Sequence, residues 1–419
     1  MVQPNLIDKL KKALPASAQP PLDAIHRRAQ AESLPLYLVG GAVRDLLLGR
    51  PTLDVDLTLE GDAPALARRV AAGLPHVRCV VHSAFGTATL KGSGFRLDVA
   101  TARAETYDRP GALPSVSPGS LHDDLLRRDF TVNAMALSLT GDRAGSIIDP
   151  FGGKADLDAK LLRVLHEASF RDDATRILRG ARYGPRLGFR FEAKTLHWIE
   201  RDVGFLESIS GPRLREELTR TLREPEPQRI LLHLQELGAL RAIHRALSFD
   251  GRRAEAFETL NRLLREPSST AYLALMAWDL SPQEAAALAA RLALNRRQTE
   301  AVRAAPVARE LERELSGRVK PSRTVELLSP FPLPTTWALA ASGQERARQQ
   351  ALRYLRRWRS LKPALDGHAL LAMGAKPGPR LGEVLRHLKA AKLDSEVRSR
   401  GDEERMARRL LGLSSDRRE

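Results

Sequence analysis

The sequence predicts an α+β amino-terminal domain followed by a long, all-helical remainder. Over roughly the first 150 residues, short apolar runs alternate with polar residues or end at glycine, as strands do. From about residue 157 onward, apolar residues recur at helical spacing instead. The chain has 419 residues, and at about 100–200 residues per domain this length accommodates two to four domains.

The predicted strands follow one another closely in the first domain. Leu36–Val39 is an apolar run that ends in Gly-Gly, and a helix over residues 42–48 follows and stops at Gly49 and Pro51. Residues 54–59 alternate acidic and apolar side chains, which is typical of a half-buried strand. Further strands are predicted at 77–82, 87–91 and 95–100, and residues 103–121, rich in Pro, Gly and Ser, predict a loop.

Helical periodicity dominates the rest of the chain. The clearest helices are predicted at residues 174–182, 212–222, 226–237, 253–264 and 282–294. These patterns divide the chain into an α+β head, an elongated all-α neck and body, and a basic helical tail, with predicted boundaries at 1–155, 156–215, 216–330 and 331–419.

The charge of the chain points to a polyanionic partner. There are 67 Lys and Arg against 51 Asp and Glu, a formal net charge of +16. Excess positive charge on a chain with a buried core favours nucleic acid, although a general bias toward arginine would also produce it. Aromatic residues make up only 5%, which disfavours stacking of single strands and favours contacts to phosphates.

Cysteine content and hydropathy bear on the location of the chain. Cys79 is the single cysteine, so an internal disulfide and a zinc site made of several cysteines are excluded, and a reducing, cytoplasmic location is expected. No stretch approaches the ~20 apolar residues that a membrane helix needs, so no membrane partner is expected.

The residues most suggestive of chemistry surround the Gly-Gly turn. Asp54 and Asp56 are two apart on a predicted strand, so both carboxylates project from one face and can bind Mg²⁺, with two ions expected. The turn at Gly40 and Gly41 lets backbone N–H groups approach a triphosphate, and Arg44 in the next helix neutralises its charge. Each feature alone also describes an ordinary turn or strand face, but the combination is much rarer.

These residues carry a family resemblance. LYLVGGAVRDLLLGRPTLDVDL, residues 36–57, resembles the signature of nucleotidyltransferases related to DNA polymerase β, and more narrowly that of class II tRNA nucleotidyltransferases and bacterial poly(A) polymerases. RRDFTVNAMA at 127–136, DPFGG at 149–153 and DDATRILR at 172–179 are similar to the next three family motifs, in the same order. Residues 367–379 are similar to the carboxy-terminal region of the family.

The resemblance implies an activity. The head would be a nucleotidyltransferase domain that adds C and/or A from CTP and ATP to the 3′ end of tRNA, without a nucleic-acid template, by two-metal chemistry that releases pyrophosphate. Asp173 and Arg176 would read the Watson–Crick edge of the incoming base. The basic side chains that would reach phosphate or ribose are Arg128, Arg179 and Arg182.

Further residues have narrower expected roles. Asp98 lies on a predicted strand and is a candidate third metal carboxylate, and Asp45 is expected to orient Arg44 or cap a turn. The resemblance implies that the tail binds the acceptor and TΨC arms of tRNA by shape and phosphate contacts, with steep salt dependence. Lys376 and Arg380 flank the start of a predicted helix and are candidate phosphate contacts.

The chain departs from the family pattern in the fourth motif, and several alternatives stay open. Asp172 stands where glutamate is usual, and Gly180 and Pro185 are expected to interrupt the helix and bend it near Pro185, which would change the CTP/ATP preference. The alternatives are a poly(A) polymerase, an enzyme that adds only CC or only A, and an RNA-binding protein without activity, which the intact aspartates disfavour. His122-Asp123 lacks the further spaced ligands that a phosphohydrolase site needs.

Overall fold

The chain forms two compact units in the computed structural model, which describes residues 6–51, 55–266 and 268–413. The first unit runs to Ile209 and includes Leu237–Ala242, and the second comprises Ser210–Glu236 and the chain from Ile243 onward. Within the described residues, no helix has both the length and the apolar character needed to cross a bilayer.

All the strands that the structure describes lie in the first unit. They are β1 (Leu36–Val39), β2 (Val55–Leu59), β3 (Arg78–His82), β4 (Thr87–Gly92), β5 (Phe95–Thr101), β6 (Arg103–Thr106), β7 (Ser115–Pro118), β8 (Ala136–Ser138), β9 (Ile147–Ile148), β10 (Leu161–Leu162) and β11 (Arg190–Phe191). Seven of them form one mixed sheet in the order β3-β4-β5-β2-β1-β8-β9. Strands β2 and β5 are parallel, and the other neighbours in this sheet are antiparallel.

Helices cover and extend this sheet. They are α1 (Leu6–Ala13), α2 (Gln19–Ala31), α3 (Gly41–Leu47), α4 (Ala63–Ala72), α5 (Leu121–Leu126), α6 (Gly153–Asp158), α7 (Ser169–Asp172), α8 (Thr175–Leu187) and α9 (Ala193–Asp202). Their starts follow local sequence: Asp62 caps α4, and Ser120 and Asp123 form a capping box on α5. Apolar residues of β1, α5 and β8, with Val39, Leu125 and Ala136 among them, pack into one buried cluster.

The second unit consists of helices over the residues that the structure describes. They are α10 (Gly211–Thr221), α11 (Pro227–Glu236), α12 (Ala239–Ile243, mostly in the first unit), α13 (Gly251–Leu263), α14 (Ser269–Met276), α15 (Pro282–Arg291), α16 (Arg296–Glu310), α17 (Glu312–Leu315), α18 (Pro321–Leu328), α19 (Leu333–Ser342), α20 (Glu345–Arg356), α21 (Gly367–Ala372), α22 (Pro379–Leu393) and α23 (Arg400–Leu411). Buried Phe257 and Tyr272 stack at the core of this unit. A separate cluster joins α21, α22 and α23.

The mixed sheet followed by helices confirms the predicted fold class, with two corrections. Residues 103–121 are not simply a loop, because β6 and β7 pair as an antiparallel hairpin. The region after residue 156 is not purely helical, because β10 and β11 form a short parallel ladder. Both elements are too short for their periodicity to outweigh the neighbouring Pro, Gly and helical signals.

The expected interruption of α8 is wrong. This helix runs without a break through Gly180 and Pro185 and ends at Leu187, before a left-handed Gly188. Gly180 allows close packing instead of breaking the helix, because a Cβ there would lie 2.6 Å from Phe191 and 2.7 Å from Phe130. Pro185 is exposed in the last turn of the helix.

Candidate active site

The turn between β1 and α3 brings together three groups that the sequence singles out. Gly40 has φ +74° and is the N-cap of α3. A Cβ on Gly40 would lie 2.6 Å from Nη1 of Arg128 and 3.8 Å from Oδ2 of Asp56. Arg128 and Asp56 therefore face the same short stretch of backbone, one with positive and one with negative charge.

The carboxylates around β2 have different environments. Asp56 is exposed on β2, directly opposite Asp98 on β5. The two oxygens of Asp98 accept hydrogen bonds from Thr89 Oγ1 at 2.5 Å and from Arg96 Nε at 2.8 Å, so donors of the protein itself hold this carboxylate. Asp54 lies outside the described residues. Among the side chains that the structure does describe, His, Cys, Asp and Glu form no group of three suited to a metal ion.

Arg44 is buried next to the turn and is held by two protein side chains. Its Nε and Nη2 donate to the Asp45 carboxylate at 2.9 and 3.0 Å, and its Nη1 donates to Oδ1 of Asn133 at 2.6 Å. The expectation that Asp45 orients Arg44 is confirmed. A guanidinium fixed on two sides presents its charge from a constant position.

Asp129 is the buried centre of a network that the sequence analysis missed. Its Oδ1 accepts from the Phe130 N–H and from Asn133 Nδ2, both at 2.9 Å, and its Oδ2 accepts from Arg179 Nε at 2.7 Å. Burial tends to raise the pKa of Asp129, but the Arg179 charge and the hydrogen bond from Asn133 outweigh it, so the pKa lies below its ordinary value. The carboxylate is therefore ionised and ties the second motif to α8.

A tyrosine on α8 gathers the arginines of the site. The guanidinium carbons of Arg182, Arg44 and Arg179 lie 5.3, 5.6 and 6.0 Å from the centre of the Tyr183 ring. Arg179 also donates to the Tyr183 hydroxyl at 3.2 Å. Because the face of an aromatic ring attracts cations, Tyr183 stabilises three positive charges close together. Its place one residue after Arg182 was the signal available in the sequence.

Asp173 and Arg176 lie together at the start of α8. Oδ1 of Asp173 accepts from the N–H and the hydroxyl of Thr175 at 2.9 and 2.6 Å, which fixes the carboxylate at the first turn. Arg176 is buried and donates to Ser169 Oγ at 2.5 Å and to the Arg127 carbonyl at 2.8 Å. The backbone of the second motif thus holds the arginine expected to read the base.

The β6–β7 hairpin places an acidic and an aromatic residue beside this pair. Glu105 accepts hydrogen bonds from Arg103, Arg127 and the Tyr107 hydroxyl, at 3.0, 3.1 and 2.9 Å. Burial, followed by the negative charge of Glu105, raises the pKa of Tyr107 to about 12, while the positive charge of Arg176 opposes the rise. Residues 103–106 carry only a short alternation, which the Pro and Gly that follow outweigh as a sequence signal.

Lys376 and Arg380 lie in the second compact unit. Both are exposed, and Arg380 donates to the carbonyl of Leu410 at 3.0 Å. The helix predicted after Lys376 is confirmed, because α22 begins at Pro379. The exposure of Lys376 and Arg380 leaves both side chains accessible from solvent.

Two family models match the chain in this region and beyond. Residues 36–163 match the family described as "Poly A polymerase head domain". Residues 188–249 match the family described as "Probable RNA and SrmB- binding site of polymerase A". The first match spans the glycine turn, β2 and the second motif, so it includes Gly40, Asp56 and Arg128.

Curated relatives resemble the chain over most of its length. An A-adding tRNA nucleotidyltransferase from Halalkalibacterium halodurans is 32% identical, over 97% of this chain and 96% of the relative. A CC-adding tRNA nucleotidyltransferase from Deinococcus radiodurans is 36% identical, over 94% of each chain. An A-adding tRNA nucleotidyltransferase from Geobacter sulfurreducens is 34% identical over 90% of this chain, which spans only 45% of that longer relative.

Solved structures show the same architecture. An apo form of a CCA-adding enzyme superposes with a TM-score of 0.82 and 30% identity, covering 95% of this chain and 97% of the other. The Thermotoga maritima CCA-adding enzyme complexed with tRNA-CCA superposes with a TM-score of 0.76 and 30% identity, covering 97% and 98%. A CCA-adding enzyme bound to ATP superposes with a TM-score of 0.79 and 29% identity, also covering 97% and 98%.

Fold and site together define a nucleotidyltransferase head joined to a helical unit. The sequence similarity is more specific, since it extends over nearly the whole length of two of these relatives. The chain belongs to the family of tRNA nucleotidyltransferases that includes A-adding, CC-adding and CCA-adding enzymes, and it is an enzyme.

Proposed function

We propose that the chain adds C, A or both to the 3′ end of tRNA, taking the nucleotides from CTP and ATP and releasing pyrophosphate. The observation that carries this proposal is the meeting of Asp56 and Arg128 at the Gly40 turn. Relatives named for the A-adding, the CC-adding and the full CCA reaction support tRNA as the substrate. The nucleotide added is therefore C, A or both in turn.

The 3′-hydroxyl of tRNA attacks the α-phosphate of the nucleotide, a new phosphodiester bond forms, and the bond to the leaving pyrophosphate breaks. Asp54 and Asp56 would hold the Mg²⁺ ions, which activate the hydroxyl and stabilise the leaving group. The exposed Asp56 carboxylate, which faces the turn, is the kind of hard oxygen donor that Mg²⁺ prefers. Asp98, already bound by Thr89 and Arg96, is assigned to supporting the sheet.

The triphosphate is bound by backbone and by arginines. Gly40 and Gly41 let the backbone approach the phosphates, and Arg128 supplies positive charge at the same turn. Arg44, Arg179 and Arg182 gather around one tyrosine ring, and Asp45 and Asp129 hold the first two of them in fixed orientations. Such preorganised charge stabilises the developing negative charge without reorganisation during the reaction.

Asp173 and Arg176 read the base in this proposal. A carboxylate accepts from the exocyclic amine that cytosine and adenine share, and a guanidinium donates to a ring nitrogen or a carbonyl oxygen. Thr175 holds Asp173, while Ser169 and the Arg127 carbonyl hold Arg176. This anchoring fixes the positions of both side chains, so the protein itself supplies the groups that select the base.

Binding of the tRNA is assigned to the helical remainder. The domain boundaries at 155, 215 and 330 are retained as part of the proposal, with the basic tail, including Lys376 and Arg380, contacting phosphates of the acceptor and TΨC arms. Exposed lysine and arginine bind duplex RNA through its backbone, because A-form RNA hides the edges of its bases in a deep groove. A cytoplasmic location fits the single cysteine.

Replacing the metal carboxylates separates catalysis from RNA binding. Asp54→Ala and Asp56→Asn are expected to lower nucleotide incorporation roughly a thousandfold, because the ions lose their ligands. Binding of labelled tRNA in a filter or gel-shift assay is expected to change less than about twofold, since these residues lie outside the RNA-binding tail.

Asp62→Asn is the matched control for these variants. Asp62 is an exposed aspartate of the same unit that caps α4, and asparagine caps helices equally well. Its activity is expected to equal that of the wild type. Full incorporation by Asp54→Ala, measured beside this control, would overturn the metal assignment.

A further inference from the structure

A buried carboxylate lies behind the arginine at the glycine turn. Asp124 on α5 is fully buried, and its Oδ1 accepts from Arg127 Nε at 3.0 Å and from Arg127 Nη2 at 2.7 Å. Its Oδ2 accepts from Arg128 Nη2 at 2.9 Å and from Thr58 Oγ1 on β2 at 3.3 Å. One carboxylate thus connects the strand of Asp56 to both arginines of the second motif.

Asp124 remains ionised despite its burial. Burial tends to raise its pKa, but the charges of Arg128 and Arg127 and their hydrogen bonds outweigh this, so the pKa lies below the ordinary value. An ionised carboxylate with each oxygen held by an arginine is a rigid anchor, because charge-assisted hydrogen bonds are short and strongly directional.

The orientation of Arg128 follows from this anchor. Its Nη2 is bound to Asp124, while Nη1 lies at the Gly40 turn, 2.6 Å from where a Cβ would stand. Its Nε is buried and has no hydrogen-bond partner among the residues that the structure describes. Asp124 therefore holds the guanidinium of Arg128 through Nη2, and the N–H groups of Nη1 remain at the Gly40 turn.

We propose that Asp124 is a positioning residue for nucleotide binding, which aims Arg128 at the phosphates of the incoming nucleoside triphosphate. Asp124 and Glu105 form salt bridges with Arg103, Arg127 and Arg128, so Arg128 belongs to a connected ionic cluster that fixes its position.

This role rests on the proposed transfer activity, so the test measures binding as well as turnover. Asp124→Asn keeps the shape of the side chain and removes its charge. The Kd of ATP and of CTP, and the KM in tRNA extension, are expected to rise about tenfold, because a misaimed guanidinium loses most of its charge-assisted bonds to phosphate. Asp123→Asn, the neighbouring carboxylate that only caps α5, is expected to leave both constants within about twofold.

A double-mutant cycle distinguishes positioning from general loss of structure. If Asp124 acts through Arg128, then Asp124→Asn will raise the ATP Kd less than about twofold in an Arg128→Ala background. Independent effects, with the full tenfold rise retained in that background, would overturn the proposal. Equal constants for Asp124→Asn and Asp123→Asn would do the same.

A milder variant covers the case in which Asp124→Asn does not fold. Thr58→Val keeps the β-branched shape on β2 and removes the hydrogen bond to the oxygen that holds Arg128. It is expected to raise the ATP Kd about threefold, an increase that Arg128→Ala abolishes. An unchanged Kd for a folded Thr58→Val, judged by its melting temperature, counts against Asp124. A wild-type chain that binds ATP but extends no tRNA contradicts the proposed function and leaves the binding test of Asp124 intact.

Discussion

At Gly40, backbone conformation and the nearby arginine both require glycine. The residue has φ +74°, and a Cβ would stand 2.6 Å from Nη1 of Arg128. Gly40→Ala is therefore expected to displace Arg128 and to lower kcat/KM for the nucleotide about a hundredfold. Steady-state extension of tRNA at varied ATP and CTP measures this.

Gly49→Ala provides the control for backbone strain. Gly49 has φ +66°, close to that of Gly40, but a Cβ there would meet no atom within 4 Å. Gly40→Ala carries the larger conformational cost, because ψ −142° at Gly40 lies outside the left-handed region that alanine enters at about 1–2 kcal/mol, so Gly40→Ala should melt at the lower temperature. Only Gly40→Ala should lose activity, and equal activities would show that the contact with Arg128 is not important.

The lowered pKa of Asp129 predicts how the stability of the first unit depends on pH. Its pKa is lowered in the folded chain by Arg179 and Asn133, so its ionised form stabilises the fold at any pH above its unfolded value of about 3.9. That contribution is lost as the pH falls through the lower, folded pKa. Asp129→Asn is expected to cost about 3 kcal/mol at pH 7, because it removes the buried carboxylate partner of Arg179.

Denaturant unfolding at pH 7, 5, 4 and 3 measures this difference. The gap between wild type and Asp129→Asn should be constant from pH 7 to 5 and should narrow below about pH 4. Acidic groups elsewhere titrate equally in both proteins, so the difference isolates Asp129. A gap that is unchanged at pH 3 contradicts the assigned network.

For individual residues, the sequence is a better guide to which side chains lie close together than to what those side chains bind. Gly40, Asp56 and Arg128 converge as their motifs indicate. Asp129 and Tyr183 were missed, although both lie in or beside recognised motifs, because a buried hydrogen-bond partner has no periodic signal of its own. Asp54 lies outside the described residues, so its role stays a prediction.

Among the elements, α8 offers the sharpest test of packing. A Cβ on Gly180 would lie 2.6 Å from the Phe191 ring and 2.7 Å from the fully buried Phe130 ring. Gly180→Ala is therefore expected to destabilise the chain by about 1–2 kcal/mol, because overpacking outweighs the better helix propensity of alanine. Thermal or urea unfolding measures the change.

Gly382 on α22 gives the matched comparison. A Cβ at this helical glycine would meet no atom within 4 Å. Gly382→Ala is therefore expected to stabilise by about 1 kcal/mol through propensity alone. Opposite signs for the two substitutions support the packing role of Gly180, and stabilisation by both contradicts it.

Elements with a clear period were predictable, and short ones were not. Strands β1 to β5 lie within one or two residues of their predicted ranges, because each has an apolar or alternating run bounded by turn residues. The β6–β7 hairpin was missed because Pro and Gly in its connection outweighed a four-residue alternation. Helix α8 extends past the predicted range of 174–182, because Pro185 lies in its last turn, where a proline removes only one hydrogen bond.

Over the whole molecule, the residues assigned to catalysis and the exposed basic residues lie in different compact units. Asp56 and Arg128 lie in the first compact unit, while the exposed Lys376 and Arg380 lie in the second. The net charge of +16 indicates a polyanion, and in the proposed function this polyanion is tRNA. Neither charge nor length alone could distinguish tRNA from other nucleic acids, because phosphate backbones share the same chemistry.

Extension of defined tRNAs is the most direct test of the proposed nucleotide transfer. Transcripts that end before the tail, after C and after CC are incubated with labelled CTP and ATP, separately and together, and the products are resolved by length. Addition is expected to stop at or before CCA: CC from CTP alone, a final A from ATP on the CC-ending transcript, or both. Long A tracts, or no extension of any transcript by an intact wild-type chain that binds ATP, would contradict it.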